Sequence, residues 1–261
     1  MKLEDLLDVF EKLAPLQLSE EWDNTGLLVR PLSSRNIKTL LLAIDLTESV
    51  LEEALDKKVE MVLAYHPLLF HPFQRMDSNR AIDRILMQLV KSDIALYSPH
   101  TALDSARGGV NDWLASGLGK GAIFPICPLQ EEGTGSGRIL HLEEKVDLEV
   151  LAQRIKQHLG IQTLRIARAR EQNPIRTIAL CAGAGADVLQ SVQADCYLTG
   201  EMGHHYVLAA VQRGIHVVLS EHTHTERGYL TVLKKQIEAL LPEPLCVVVS
   251  EVDADPIQSH H

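Results

Sequence analysis

Leu3, Leu6, Leu7, Phe10 and Leu13 recur at helical spacing until Pro15 interrupts them, which predicts an amphipathic helix near the start of the chain. Residues 37–44 then read Ile-Lys-Thr-Leu-Leu-Leu-Ala-Ile, the apolar run of a strand buried on both faces. Thr47 has the chemistry of an N-cap, with Val50, Leu51, Ala54 and Leu55 on one helical face behind it. Strands at residues 61–64 and 94–97 flank a helix over 81–90. Strand and helix alternate, so the pattern implies parallel pairing in an α/β layer structure.

Between Pro125 and Gly137 the composition shifts to Gly, Ser, Thr, Pro and Glu, a turn-rich stretch that reads as a boundary. The same grammar then resumes, with helices expected at 146–159, 186–192, 206–212 and 226–240. Strands are expected at 177–181, 196–198, 216–219 and 245–249. The domain expectation is an N-terminal α/β lobe over residues 1–126 and a C-terminal α/β lobe over 139–261, joined by a linker at 127–138. The last strand is a candidate to return to the first lobe. The fold class is therefore α/β, as two interlocked and architecturally similar lobes, and His260 and His261 read as a tail or tag remnant.

Composition narrows the function classes. Only 4% of the 261 residues are aromatic, so aliphatic side chains must build the core. With 35 acidic against 25 basic residues the net charge is −10, which argues against a broad basic surface for nucleic acid or anionic membrane. No apolar run reaches the roughly 18 residues of a spanning helix, and no basic and apolar leader opens the chain. Cys127, Cys181, Cys196 and Cys246 form no C-x-x-C pair and read as reduced core residues of an intracellular, cytoplasmic protein.

The chemistry collects at strand ends, where open α/β sheets bind ligands. The strand at 61–64 runs into Tyr65-His66-Pro67, and that at 94–97 into Ser98-Pro99-His100-Thr101-Ala102-Leu103-Asp104. The strand at 196–198 ends in Thr199-Gly200-Glu201-Met202-Gly203-His204-His205, and that at 216–219 in Ser220-Glu221-His222-Thr223-His224-Thr225-Glu226. Imidazole with carboxylate is the ligand set of Zn, Fe and Mn, and a bridging carboxylate lets two such ions share a site. Plainer roles compete. Thr223-x-x-Glu226 is also a capping box, Asp104 a cap for a helix near Ser105, His66 a hydrogen-bonded core histidine, and His204 and His205 solvated residues at a helix start.

Taken together, Trp22-Asp23-Asn24-Thr25-Gly26-Leu27, Tyr65-His66-Pro67, Pro99-His100-Thr101-x-x-Asp104, Thr199-Gly200-Glu201-x-x-His204-His205 and His222-x-x-x-Glu226-Arg227-Gly228 resemble the GTP cyclohydrolase I type 2 / Nif-three-like family in order and spacing. These motifs span residues 22–228. The resemblance implies a toroidal homohexamer of two-lobed subunits, each with a dinuclear metal site in the cleft between its lobes. It places metal ligands on His66, Asp104, His222 and Glu226, and on Tyr65, where the family's first paired histidine is replaced. Two divalent ions per chain, Zn, Fe or Mn, follow, or one if Tyr65 does not bind.

Tyr-His-Pro also resembles the family's eukaryotic branch, which extends the expected location to the nucleus. The implied activity is metal-dependent hydrolysis of a nucleotide or related phosphorylated small molecule, with GTP as the family label's own substrate. His100 and Glu201 are then candidates for catalytic proton transfer, and His204, His205 and Arg227 for substrate or outer contacts. No glycine-rich phosphate cradle is present, so triphosphate recognition would fall to metals and residues such as Arg75 or Arg227. The alternative is a non-catalytic hexameric interaction protein that binds other proteins such as transcription cofactors, with structural or vestigial metals. Direct nucleic-acid or membrane binding is disfavoured by charge.

Overall fold

The computed structural model describes residues 1–33, 36–72, 74–171 and 173–257; His260 and His261 lie outside them. In chain order the elements are α1 (Leu3–Leu13), β1 (Gly26–Val29), β2 (Thr39–Ala43), α2 (Glu48–Asp56), β3 (Met61–Ala64), α3 (Ala81–Ser92), β4 (Ala95–Ser98), α4 (His100–Ser105), α5 (Val110–Ser116), β5 (Gly121–Pro128) and β6 (Gly135–Val146). There follow α6 (Leu148–Leu159), β7 (Arg165–Ala167), β8 (Ile175–Cys181), α7 (Ala186–Leu189), β9 (Cys196–Thr199), α8 (His204–Gln212), β10 (His216–Leu219), α9 (Tyr229–Leu240) and β11 (Cys246–Val249), with 3-10 turns at Leu16–Leu18 and Thr223–Thr225. The chain divides into two compact units. The first is Met1–Leu103 with Leu230–Ala254, and the second Asp104–Tyr229 with Asp255–His261.

The first unit holds a five-stranded sheet in the order β1-β4-β3-β2-β11. β4, β3, β2 and β11 are parallel, and β1 closes one edge antiparallel to β4. The three inner strands are buried on both faces because Leu40, Leu41, Leu42, Val62, Leu63 and Leu96 leave no polar side for water. Each such side chain contributes roughly 1.5–3 kcal/mol of burial. The Thr47 hydroxyl caps α2 by accepting the Val50 N–H at 3.3 Å. After β11 the buried Asp253 carboxylate accepts the Ile44 N–H at 2.7 Å, fixing the C-terminal segment to the end of β2.

The second unit holds a six-stranded mixed sheet, β5-β6-β8-β9-β10-β7, in which β8, β9 and β10 are parallel. Antiparallel β6 and β5 extend one side, and β7 pairs antiparallel with β10 on the other. Residues 127–138, expected as a linker, are the end of β5, a tight turn and the start of β6, so the unit boundary falls inside α4 instead. The glycines that suggest a flexible tether are required by pairing. A Cβ on Gly135 (φ +134°) would stand 2.1 Å from the Cys127 carbonyl oxygen across the hairpin.

Arg138 in β6 is 1% exposed and pairs with Asp112, while its guanidinium also donates to the carbonyls of Gly135, Gly137 and Ala106. This knits the hairpin to the start of α5. The cysteines depart from the sequence expectation: Cys196 is buried, Cys181 half-buried, and Cys127 and Cys246 are exposed on strands whose outer faces meet water. No helix among the described residues is long and apolar enough to cross a membrane.

Candidate metal centre

In the first unit the ends of β2, β3 and β4 lie side by side, because these strands are parallel neighbours. The Tyr65 and His66 N–H groups donate to the Ala43 and Ile44 carbonyls, carrying the ladder one step past β3. The ring of His66 is thereby set beside Asp45, whose carboxylate meets Nδ1 at 2.9 Å. An ionised carboxylate only accepts, so Nδ1 carries the proton and Nε2 is the donor atom His66 would present to a cation. Tyr65 is buried, with its ring edge-on to those of His66 and His100 at centroid distances of 5.0 and 5.7 Å.

His100 opens α4 at φ +29°, a left-handed conformation that costs a non-glycine residue energy. Its Nδ1 lies 2.8 Å from the Asp23 carboxylate, whose side chain is fully buried. The same carboxylate accepts the Thr101 N–H and hydroxyl. Burial pushes the Asp23 pKa up, but the hydrogen bonds from His100 and Thr101 outweigh it and hold the carboxyl below its usual range. Asp23 fixes the tautomer and orientation of His100, and the sequence reading assigned it no role.

In the second unit the same device recurs at the ends of β9 and β10. His222 Nδ1 lies 2.7 Å from the Glu201 carboxylate, and His222 Nε2 lies 3.3 Å from Oε1 of Glu226. Glu226 is 3% exposed. The Thr223 hydroxyl donates to Asp255, and α9 begins only at Tyr229, so Thr223 and Glu226 do not form a capping box at a helix start. Glu221, immediately before His222, sits at φ +69° and is gripped by both nitrogens of the Arg165 fork at 3.0 and 3.1 Å.

Gly183, in the turn after β8, faces the two donor atoms. At φ +62° a Cβ there would lie 2.8 Å from both Glu226 Oε1 and His222 Nε2. The Thr225 hydroxyl accepts the Gly183 N–H, and the Gly183 carbonyl accepts from the Thr199 hydroxyl and the Glu201 N–H. A glycine is thus held where any side chain would fill the space in front of the donors. Its signal is the run Ala182-Gly183-Ala184-Gly185 directly after a strand, which sequence reasoning passed over. Burial, and then the charges of Asp104 and Glu226, push the Cys181 thiol far above its ordinary pKa. An imidazole and a buried carboxylate facing a side-chain-free space fit a divalent cation.

His204 and His205 begin α8 with their rings 5.4 Å apart, and both are exposed. Arg227 is half-buried, with its N–H donating to the Thr223 carbonyl.

Compared with known proteins, residues 1–256 match the family model described as Duf34/NIF3 (NGG1p interacting factor 3). The chain belongs to this family. A NIF3 homolog from Schizosaccharomyces pombe is 40% identical, over 97% of this chain and 96% of its own length. NIF3-like protein 1 of Bos taurus is 34% identical, over 98% and 92%. Among solved structures, reduced HcgD from Methanocaldococcus jannaschii superposes with a TM-score of 0.83 at 28% identity, covering 96% of this chain and 98% of its own. Membership in the NIF3 family agrees with the family resemblance of the sequence motifs, and the described strand tips are where this family member concentrates its histidines and carboxylates.

Proposed function

We propose that the chain is a divalent-metal-dependent hydrolase acting on a nucleotide or a related phosphorylated small molecule. The observation that carries this reading is the pair His222 and Glu226 facing Gly183, with Glu201 orienting the imidazole. His66, oriented in the same manner by Asp45, and Asp104 complete the ligand set that the family resemblance implies. Tyr65 stands in the place of a further ligand. A bound divalent ion would supply Lewis acidity, polarising a phosphoryl or carbonyl oxygen and acidifying a water molecule.

The chain's own residues do the rest. Asp45 and Glu201 hold their histidines with Nε2 as the donor atom. His100, braced by Asp23 and with its ring centroid 5.4 Å from that of His66, would take up or release a proton. Glu201 is half-exposed and is the alternative proton carrier on the second unit. A homohexamer and protein partners belong to the same proposal, the latter supported by the family description as an NGG1p interacting factor and by the loss of one histidine at Tyr65.

Elemental analysis of protein purified without chelator tests the reading. Wild type is expected to hold at least one Zn, Fe or Mn per chain, lost in Glu226→Ala, with Tyr65→His raising the content towards two. Metal-dependent release of product from a nucleotide panel must then disappear on chelation. Metal-free wild type, or a loaded protein with no turnover on any phosphorylated substrate, favours the interaction protein.

A further inference from the structure

The loop between β3 and α3 encloses a cavity of about 680 Å³, within the roughly 300–1,000 Å³ span of small-molecule sites. Leu68, Phe70 and Ile82 give it apolar walls, and Arg75 and Arg80 line it with charge. Asp83 is the acid on its lining and is already engaged, accepting the Asp77 N–H and the Arg80 guanidinium, each at 2.7 Å. Among the described residues no carboxylate is paired with Arg75, whose carbonyl instead accepts from Arg80. On a chain of net charge −10 this is a local cationic spot beside an apolar wall.

Aromatic rings continue the same surface. Phe70 is 42% and Trp22 60% exposed, and their ring centroids are 5.9 Å apart. Both rings also approach His100, at 6.3 and 6.1 Å. The Asn24 amide donates to the Leu69 carbonyl and ties the Trp22 loop to the cavity loop. Scattered exposed apolar residues need no explanation, but two adjacent uncovered aromatic rings, one of them lining the same cavity as Arg75, do.

We propose that this surface binds a flat aromatic compound carrying a phosphate. The ring stacks on the face of Phe70 with its edge towards Trp22, whose plane lies at 60° to that of Phe70, and the phosphate is taken by Arg75. The concave shape fits a small molecule, and the acidity of the remaining surface repels a long polyanion. This deepens the hydrolase reading, and rests on it only in supposing that the bound compound is the substrate.

Binding is measured by calorimetry and by Trp22 fluorescence on the full chain. The probes are adenosine and flavin mononucleotides, the corresponding unphosphorylated adenosine and riboflavin, and pyrophosphate. One phosphorylated ring compound is expected to bind saturably, with its unphosphorylated counterpart and pyrophosphate each about tenfold weaker. Arg75→Ala and Phe70→Leu are each expected to weaken it about tenfold, while thermal melts report that both remain folded. On metal-free protein, Glu226→Gln should leave the Arg75-dependent binding in place. Failure of every probe, or binding unmoved by both cavity variants, overturns the site. Binding lost in Glu226→Gln but kept in Arg75→Ala places the ligand at the metal centre, which sinks this proposal and leaves the hydrolase standing. Binding at the cavity without turnover does the reverse.

Discussion

The two units use one device and supplement it in opposite ways. In each, a histidine after a parallel strand has its Nδ1 taken by a carboxylate from the tip of the neighbouring strand: His66 by Asp45 after β3 and β2, and His222 by Glu201 after β10 and β9. The first unit then surrounds its histidine with rings, Tyr65 and His100 inside and Phe70 and Trp22 outside. The second adds the buried carboxylate of Glu226 and clears space with Gly183. Ring surface suits recognition of a flat ligand and a carboxylate facing open space suits a cation.

The stability of the two units also rests on partly different interactions. Both units pack an apolar core, and the second adds the buried Arg138, whose guanidinium serves Asp112 and several carbonyls. Arg138→Ala is expected to cost the second unit about 3 kcal/mol, at the low end for breaking a buried pair because Asp112 still reaches water. Fluorescence-detected denaturation of a Trp22→Phe background, in which Trp113 alone reports on the second unit, checks this. A shift under about 1 kcal/mol would mean that the hairpin holds without its arginine.

The symmetry of the two histidines can be broken deliberately. Asp45→Asn and Glu201→Gln should each lower divalent-metal affinity about 10–100-fold, the usual effect of removing an orienting carboxylate from a ligating histidine. Calorimetric titration with Zn or Mn reads both. If only Glu201→Gln has an effect, the first unit contributes recognition alone and His66 is not a ligand. Gly183→Ala sharpens the same contrast: it should cost roughly 1–2 kcal/mol for a side chain at φ +62° and suppress metal uptake while the first unit melts normally.

Much of this was legible in the sequence, and the gaps have physical causes. β3 and β10 fall at the residues expected, since fully buried parallel strands are continuous apolar runs with sharp ends. The histidines and carboxylates at their tips were visible for the same reason. β5 and β6 were hidden because an edge hairpin exposes Phe124 to water, contains prolines, and needs glycine where its strands approach closely. Asp23, Asp45 and Gly183 were missed because their roles lie in what they touch. Asp45 is one more carboxylate after a strand until His66 is seen 2.9 Å away, and a glycine has no chemistry until the donors it faces are in place.

The smallest expected difference between the units lies in their response to acid. His158 and His216 of the second unit have pKa values lowered from the ordinary 6.5, in each case chiefly by burial. His216 Nδ1 accepts the Ala169 N–H, a bond that only the unprotonated nitrogen makes. Because the folded values lie below the unfolded one, the unfolded state takes up protons first as pH falls. Stability is therefore full above about pH 6.5 and declines as pH drops below that value towards the folded pKa values. The first unit's Asp23 and Glu53 are also lowered, with hydrogen bonds from His100 and Thr101, and from Lys57 and Ser250, overcoming burial. Their contribution is present above the unfolded carboxylate range and is lost only as pH falls through about 4. Melts between pH 7.5 and 5 should thus show a modest loss of Tm assigned to the second unit by Trp113, reduced in His216→Gln. An equal loss in both units over that interval would show that the buried histidines do not set the acid limit.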